Sequence, residues 1–247
     1  EYLESVVRDI QLLRTEIETY ECTRHDTGAQ RTNRKSFHIE SKRSTPVLNE
    51  VLDDEVKTII DRLTRGSKLL DLVPIVGMAG LGKTTLANRV YNDPLISGHF
   101  HILAWCTVYQ VYSIHDLLLQ ILCSISAGSH SQYLKMDEDD LAEMLYKRLK
   151  GNRYLVILDD VWEIEVWNLV KGSLPDDGNG SRILFTSRIE LQFSPDSKAH
   201  HLRQLTDKES WKLLQKKLFG KEGCPPRLIE VGSQIAKFCR GLPLTVV

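Results

Sequence analysis

The sequence predicts an α/β fold in three layers: a parallel sheet covered on both faces by helices, followed by a small helical portion and preceded by a partial coiled-coil helix. Three features of the 247 residues carry that prediction. Strand-like and helix-like stretches alternate over residues 47–195, which is how crossover helices wind a parallel sheet. The strand-like stretches, such as YLVIL at Tyr154–Leu158, are apolar throughout instead of alternating, so both of their faces are expected to be buried. A glycine-rich segment joins one of these strands to the helix after it.

Composition narrows the class further. Hydrophobic residues at 42 % and charged residues at 26 % are ordinary for a globular chain long enough to bury a core. No apolar run approaches the roughly 20 residues of a membrane span, and the start lacks a secretory signal pattern, so a cytoplasmic protein is expected. The five cysteines are scattered without a C-x-x-C pair, which argues against a zinc site or a disulfide framework. Cys106 and Cys123 lie in apolar patterns and read as small core residues. A net charge of −1 gives no reason to expect nucleic acid as a partner.

Taken in order, Leu3, Val6, Ile10, Leu13, Ile17 and Tyr20 recur three and four apart, the seam of a coiled coil. Residues 1–20 are therefore expected to be the remnant of a helical bundle, or else a helix packed on its own domain. Residues 21–46 are polar, with six basic side chains against three acidic ones, and read as a linker. Asp53, Asp54 and Glu55 open a helix with Val56, Ile59, Ile60 and Leu63 on its apolar face and Gly66 as its stop. The phosphate-loop strand and helix follow, the helix ending near Tyr91 before Pro94. Next come a strand at His101–Val108 with Trp105 in the core, a helix with Ile114, Leu117, Leu118, Ile121, Leu122 and Ile125 closed by Ala127 and Gly128, and a helix after Asp137 that stops at Gly151. Buried strands are expected at Tyr154–Leu158 and Gly180–Arg188, and a short one near Leu202 and Leu205. Two helices, around Glu209–Phe219 and Arg227–Cys239, place the start of a helical subdomain at 196–247. The closing GLPLTVV begins an apolar segment that stops short, which suggests a piece of a longer chain.

The chemistry concentrates in Val73–Ala87, VPIVGMAGLGKTTLA. The spacing G-x-x-x-x-G-K-[ST] from Gly77 to Thr84 arises by chance in a chain of this length about 1 % of the time at average residue usage. Close-packed phosphate charge can be wrapped only by backbone N–H groups with no side chains in the way, and glycine permits both the approach and the positive φ angles. Gly77, Met78, Ala79, Gly80, Leu81, Gly82, Lys83, Thr84 and Thr85 are thus candidate phosphate-binding residues. The helix opening at Lys83 adds its free N–H groups and positive dipole end. Lys83 would reach the outer phosphates and Thr84 would ligate Mg²⁺, with Asp159 as the second magnesium residue on a strand expected beside the phosphate strand.

Asp160 is a candidate for orienting or deprotonating an attacking water. As it is one methylene shorter than glutamate, slow or negligible hydrolysis is expected. Arg188 offers a fixed fork to the γ-phosphate and so a means of telling ATP from ADP. Pro243 could lie against the base or ribose, or simply open a helix. His99 and His101 could share one strand face, and His200 and His201 would point to opposite faces; neither pair makes a metal site without a third ligand.

With those residues placed, the chain resembles the NB-ARC nucleotide-binding module of plant coiled-coil disease resistance receptors, most of all the late blight resistance group of the nightshade family. The resemblance rests on GMAGLGKTTLA, FHILAWCTV, YLVILDDVW, GSRILFTSR, LRQLTDKESWKLL and CRGLPLTVV, in order from about Thr45 onward. It implies a P-loop NTPase sheet of the STAND or AAA+ kind, an ADP/ATP switch with Mg²⁺, Arg188 as γ-phosphate sensor and Pro243 near the nucleotide. It implies as partners the receptor's coiled coil and leucine-rich repeats and, on activation, further protomers, with membrane association then and defence by hypersensitive cell death as the output. The sequence leaves two rivals: an ordinary P-loop ATPase with substantial turnover, and an interaction fragment that binds no nucleotide.

Overall fold

A computed structural model describes residues 52–126, 130–191, 198–220 and 223–246. The heptad helix expected at 1–20, the linker expected at 21–46 and the helix-closing pair Ala127 and Gly128 lie outside the described residues. The described chain falls into two compact units, 52–204 and 205–246.

In the first unit the order is α1 (Asp53–Thr64), β1 (Asp71–Val76), α2 (Lys83–Tyr91), α3 (Pro94–His99), β2 (Ile102–Thr107), α4 (Ile114–Ile125), a 3-10 turn at His130–Lys135, α5 (Glu138–Leu149), β3 (Tyr154–Val161), α6 (Glu165–Val170), β4 (Arg182–Ser187) and β5 (His200–His201). The five strands are parallel in the order β2-β3-β4-β1-β5. Every residue of β4 is buried, including the polar Arg182, Thr186 and Ser187, as expected of a strand in the interior of a covered parallel sheet.

One layer of helices comes from α4, α5 and α6. Their Leu117, Leu118, Ile121, Leu122, Leu141, Leu145, Leu149, Val166 and Val170 form a single buried cluster with alternate residues of the strands. Helices α1 and α2 bury Ile59, Leu63, Leu86, Ala87 and Val90 outside that cluster. The helices start where side chains cap them: Ser113 accepts from Asp116 N–H at the head of α4, and Asp137 from Asp140 N–H at the head of α5. Arg89 on α2 and Asp53 on α1 form an ion pair at 2.6 Å that fixes α1 against the helix after the glycine loop.

Several expectations change. Trp105 is half-buried and not in the core, because β2 is an edge strand; its ring packs edge-on against Tyr91. The outward N–H groups of that edge at Trp105 and Thr107 donate to Ser124 and Gln120 of α4, so a helix covers what would otherwise be an open pairing edge. His99 ends the short helix α3 and His101 precedes β2, so they share no strand face. The short helices α3 and α6 were not anticipated. β3 continues through both aspartates to Val161. β5 pairs with β1 at His200 and His201, so the sheet unit runs to 204, beyond the boundary expected at 195.

The second unit comprises α7 (Asp207–Phe219), a 3-10 turn at Pro226–Leu228, α8 (Ile229–Phe238) and α9 (Pro243–Val246). Thr206 and Glu209 cap α7 reciprocally, each side chain accepting from the other residue's N–H. Gly232 of α8 lies so close to Trp211 of α7 that a Cβ there would stand 2.3 Å from the ring.

Candidate functional site

Strand β1 delivers the chain into the loop, and Gly77 N–H donates to Ser187 O at the end of β4. The glycines are there for different reasons. A Cβ on Gly77 would meet Leu81 Cδ1 at 2.9 Å and Leu202 O at 3.4 Å, so a side chain there would have to displace the buried Leu81. Gly80 and Gly82 hold φ of 81° and 97°, which wrap the loop and set Gly82 as the left-handed N-cap of α2 without a side-chain cap. Lys83, Thr84 and Thr85 therefore form a first helical turn whose N–H groups face away from the helix, the arrangement that receives an anion. Met78 stands on the loop with its side chain exposed, and Leu81 is buried beneath it.

Lys83 is 7 % exposed, and its Nζ donates to Gly77 O at 2.7 Å and Met78 O at 2.9 Å. An ammonium has three donors, so one is left for a ligand. Burial pulls its pKa down, Asp160 and Asp159 push it back up, and the Arg188 charge lowers it. All three charges are thus close enough to act on one lysine.

The expectation that Asp159 sits on a strand beside β1 fails, because β4 lies between β3 and β1. The two parts meet nevertheless. Thr84 Oγ1 donates to Asp159 Oδ1 at 3.0 Å, spanning the end of β4. Beneath them Thr186 of β4, 1 % exposed, donates its hydroxyl to Asp159 Oδ1 at 2.6 Å and accepts Asp160 N–H at 2.8 Å. The reason is a β-bulge: Leu158 pairs with Phe185 and Val161 with Ser187, so Asp159 and Asp160 together oppose Thr186. Asp160 carries the irregularity at φ 60°, a left-handed backbone that few residues other than glycine adopt.

The bulge separates the two carboxylates. Asp159 is 4 % exposed; burial raises its pKa, against the lowering by the Thr186 and Thr84 hydroxyls. Asp160 instead reaches the half-exposed Arg188, which donates Nε to Oδ1 at 3.2 Å and Nη2 to Oδ2 at 3.3 Å. The same guanidinium lies 4.3 Å from the centre of the Trp162 ring.

A magnesium ion takes oxygen ligands and keeps several waters, usually with one or two carboxylates plus phosphate oxygens. The Thr84 hydroxyl and the Asp159 carboxylate, adjacent and both oxygen donors, fit that pattern. Asp159 is also a desolvated carboxylate that a nearby cation would relieve. Among the described residues no group of three or more histidine, cysteine or acidic side chains could hold a metal by protein ligands alone.

Of the residues singled out from the sequence, the loop, Lys83, Thr84, Asp159, Asp160 and Arg188 come together at the C-terminal edge of the sheet. Pro243 begins α9 in the second unit and is buried there. Sequence reasoning gave Thr186 and Trp162 no role. A signal existed for Thr186, since a hydroxyl in a fully buried strand needs hydrogen-bond partners. The pairing of Arg188 with Asp160 and Trp162 had none.

A family model described as NB-ARC domain matches residues 52–224. Two putative late blight resistance protein homologues of Solanum demissum are similar: one is 46 % identical over 209 residues, covering 82 % of this chain and 17 % of that protein. The other is 40 % identical over 252 residues, covering 100 % of this chain and 19 % of that protein. The chain thus spans less than a fifth of these relatives' length. Among solved structures, a STAND protein (signal transduction ATPase with numerous domains) with a tetratricopeptide repeat sensor from Pyrococcus horikoshii aligns with a TM-score of 0.50 at 20 % identity, covering 77 % of this chain and 28 % of that one. The ORC2 protein of Aeropyrum pernix, solved as ADPNP–ADP complexes, aligns with a TM-score of 0.53 at 18 % identity, covering 87 % of this chain and 62 % of that one. Both likenesses support the fold.

Proposed function

The chain belongs to the NB-ARC domain family, and from that premise we propose that it is the ADP/ATP-binding switch module of a plant disease resistance receptor. The observation that carries the reading is the 3.0 Å hydrogen bond from Thr84 to Asp159, which gathers the helix after the glycine loop and a strand-end carboxylate into one site. In this reading the loop amides and Lys83 bind the phosphates, while Thr84 and Asp159 hold Mg²⁺. The ion would supply positive charge between the phosphate oxygens and the buried carboxylate. Arg188 responds to the γ-phosphate. The receptor's remaining parts, a coiled coil and leucine-rich repeats, convert nucleotide exchange into assembly and hypersensitive cell death. The complex of the Aeropyrum protein with ADP supports the nucleotide class.

Turnover is expected to be low, because Asp160, the candidate for positioning water, is one methylene shorter than a glutamate. That disfavours the ordinary ATPase. Binding of a fluorescent ADP with and without Mg²⁺, by the chain and by Lys83→Arg, tests the proposal. Saturable, magnesium-enhanced binding that the variant weakens at least tenfold is expected. Equal signals, or none from either protein, would leave an interaction fragment, and many turnovers per second in a steady-state assay would make it an enzyme.

A further inference from the structure

We propose that Trp162 and Asp160 form a resting place for the Arg188 guanidinium, from which a triphosphate must draw it, and that this contact sets how strongly the site prefers ATP to ADP. The inference rests on the nucleotide-binding reading and deepens it.

Arg188 is held on two sides. Its Nε and Nη2 donate to the two oxygens of Asp160, and its plane lies 4.3 Å from the Trp162 ring centre. A guanidinium that spends one edge on a carboxylate and one face on an indole has little left to offer a phosphate. The arrangement is built into the backbone. The bulge and the left-handed φ of Asp160 turn its carboxylate toward the end of β4, away from the Asp159 side chain that faces Thr84 and Thr186. Trp162 follows after the buried Val161 and is itself half-buried. Three side chains within four residues thus face two ways: Asp159 toward the helix after the loop, Asp160 and Trp162 toward Arg188. Lys83 feels the charges of both Asp160 and Arg188, which places the resting pair within electrostatic range of the phosphate-binding lysine.

A diphosphate leaves this pair intact. A triphosphate gains the arginine only by breaking the ion pair and the stacking contact, so both subtract from ATP affinity and leave ADP affinity alone. Trp162 is the cleaner handle, since it carries no charge. Removing a cation–π contact at a half-exposed site corresponds to about a two- to fivefold change.

The test uses the full 247-residue chain and competition against a fluorescent ADP, with ADP and the slowly hydrolysed analogue ATPγS as competitors. Trp162→Ala is expected to tighten ATPγS about threefold by the same estimate while leaving ADP within error. Trp162→Phe, which preserves packing and a weaker π face, should fall between it and the parent. In the background of Arg188→Ala the Trp162→Ala effect should vanish, the mark of two residues acting through one contact. Weaker ATPγS binding in Trp162→Ala, equal shifts for both nucleotides, or an effect that survives Arg188→Ala overturns the proposal. Should Trp162→Ala fail to fold, an unchanged ATPγS-to-ADP ratio in Trp162→Phe overturns it alone. A parent chain that binds no ADP at all defeats the nucleotide reading itself, a result separable from an unchanged ratio in a chain that does bind.

Discussion

Replacing Thr186 by valine removes one hydroxyl from the centre of the sheet and almost no volume, so its effect isolates the polar work of that position. Two interactions are lost. The hydroxyl donates at 2.6 Å to the Asp159 carboxylate, and a hydrogen bond to a charged group contributes about 1.5–3 kcal/mol. It also accepts Asp160 N–H at 2.8 Å, and an amide left unpaired costs about 1–3 kcal/mol. The lower ends apply, since Asp159 keeps Thr84 and the Asp160 side chain is 32 % exposed, so water can reach that end of the bulge. The expected destabilisation is about 2.5–4 kcal/mol by this sum. Thr186→Ser keeps the hydroxyl and should cost about 1 kcal/mol for the lost methyl. Urea unfolding followed by tryptophan fluorescence compares the two.

The loss should also depend on pH with a definite sign. Burial holds the Asp159 pKa above its unfolded value, and the Thr186 bond opposes that rise. Without Thr186 the folded pKa climbs further, so the folded state binds its proton over a wider range. A group of this kind contributes stability that is complete below its unfolded pKa and is lost as pH rises through its folded pKa. The valine variant should therefore sit closest to the parent in acid and fall away as pH rises past the carboxylate range. Valine and serine variants of equal stability, or a gap that widens in acid, would refute the account of Thr186.

Arg182, 2 % exposed, donates to the carbonyls of Arg65, Ser67, Leu69 and Ser181, so Arg182→Met should cost about 3–4 kcal/mol at roughly 1 kcal/mol per bond, and limited trypsin digestion should begin at Arg65 and Lys68. Cleavage no faster than in the parent would contradict that role. Gly232→Ala drives a methyl into Trp211 and should destabilise the helical unit by about 1–3 kcal/mol, read as an early loss of helical circular dichroism on heating; an unchanged melt would mean α7 and α8 do not pack as described. Burial pushes the Cys106 thiol up to about 12, which leaves about one thiolate in ten thousand at pH 8. Iodoacetamide at that pH should modify Cys239 in the native chain and reach Cys106 only in urea, and mass spectrometry showing native labelling of Cys106 would contradict its burial.

Much of the fold was legible because its signals are local. The helices at Asp53–Thr64, Ile114–Ile125 and Glu138–Leu149 fall where apolar spacing placed them, the first and third with an acidic start. Continuous apolar runs identified β3 and β4 as buried. The turn between β1 and α2 was legible because Gly80 and Gly82 take up positive φ, which glycine adopts most readily. Strand order was another matter. Whether β3 or β4 lies beside β1 depends on how crossovers stack, which no window of sequence encodes, and so Asp159 was assigned to the wrong neighbour. Trp105 failed for the same reason: a large aromatic in a strand signals burial, yet an edge strand buries only part of it. The six-residue helices α3 and α6 are too short to display a helical period.

The insertion of β4 between β1 and β3 has a chemical consequence. Had the carboxylate strand been next to the loop strand, Asp159 and Thr84 could have met without help. With a strand between them, the end of that strand becomes the floor of the site and must be polar, small and buried, which Thr186 is. The bulge then sets both Asp159 and Asp160 opposite that single threonine. Two residues opposite one place Asp159 on the hydroxyl and leave Asp160 for Arg188. Two adjacent aspartates, identical in the sequence, thereby acquire different surroundings: one dry, hydroxyl-bonded and fitted to a cation, the other wetter and held by an arginine. Which carboxylate is buried on hydroxyls and which faces the arginine is decided by the threonine opposite them and the backbone irregularity beside it.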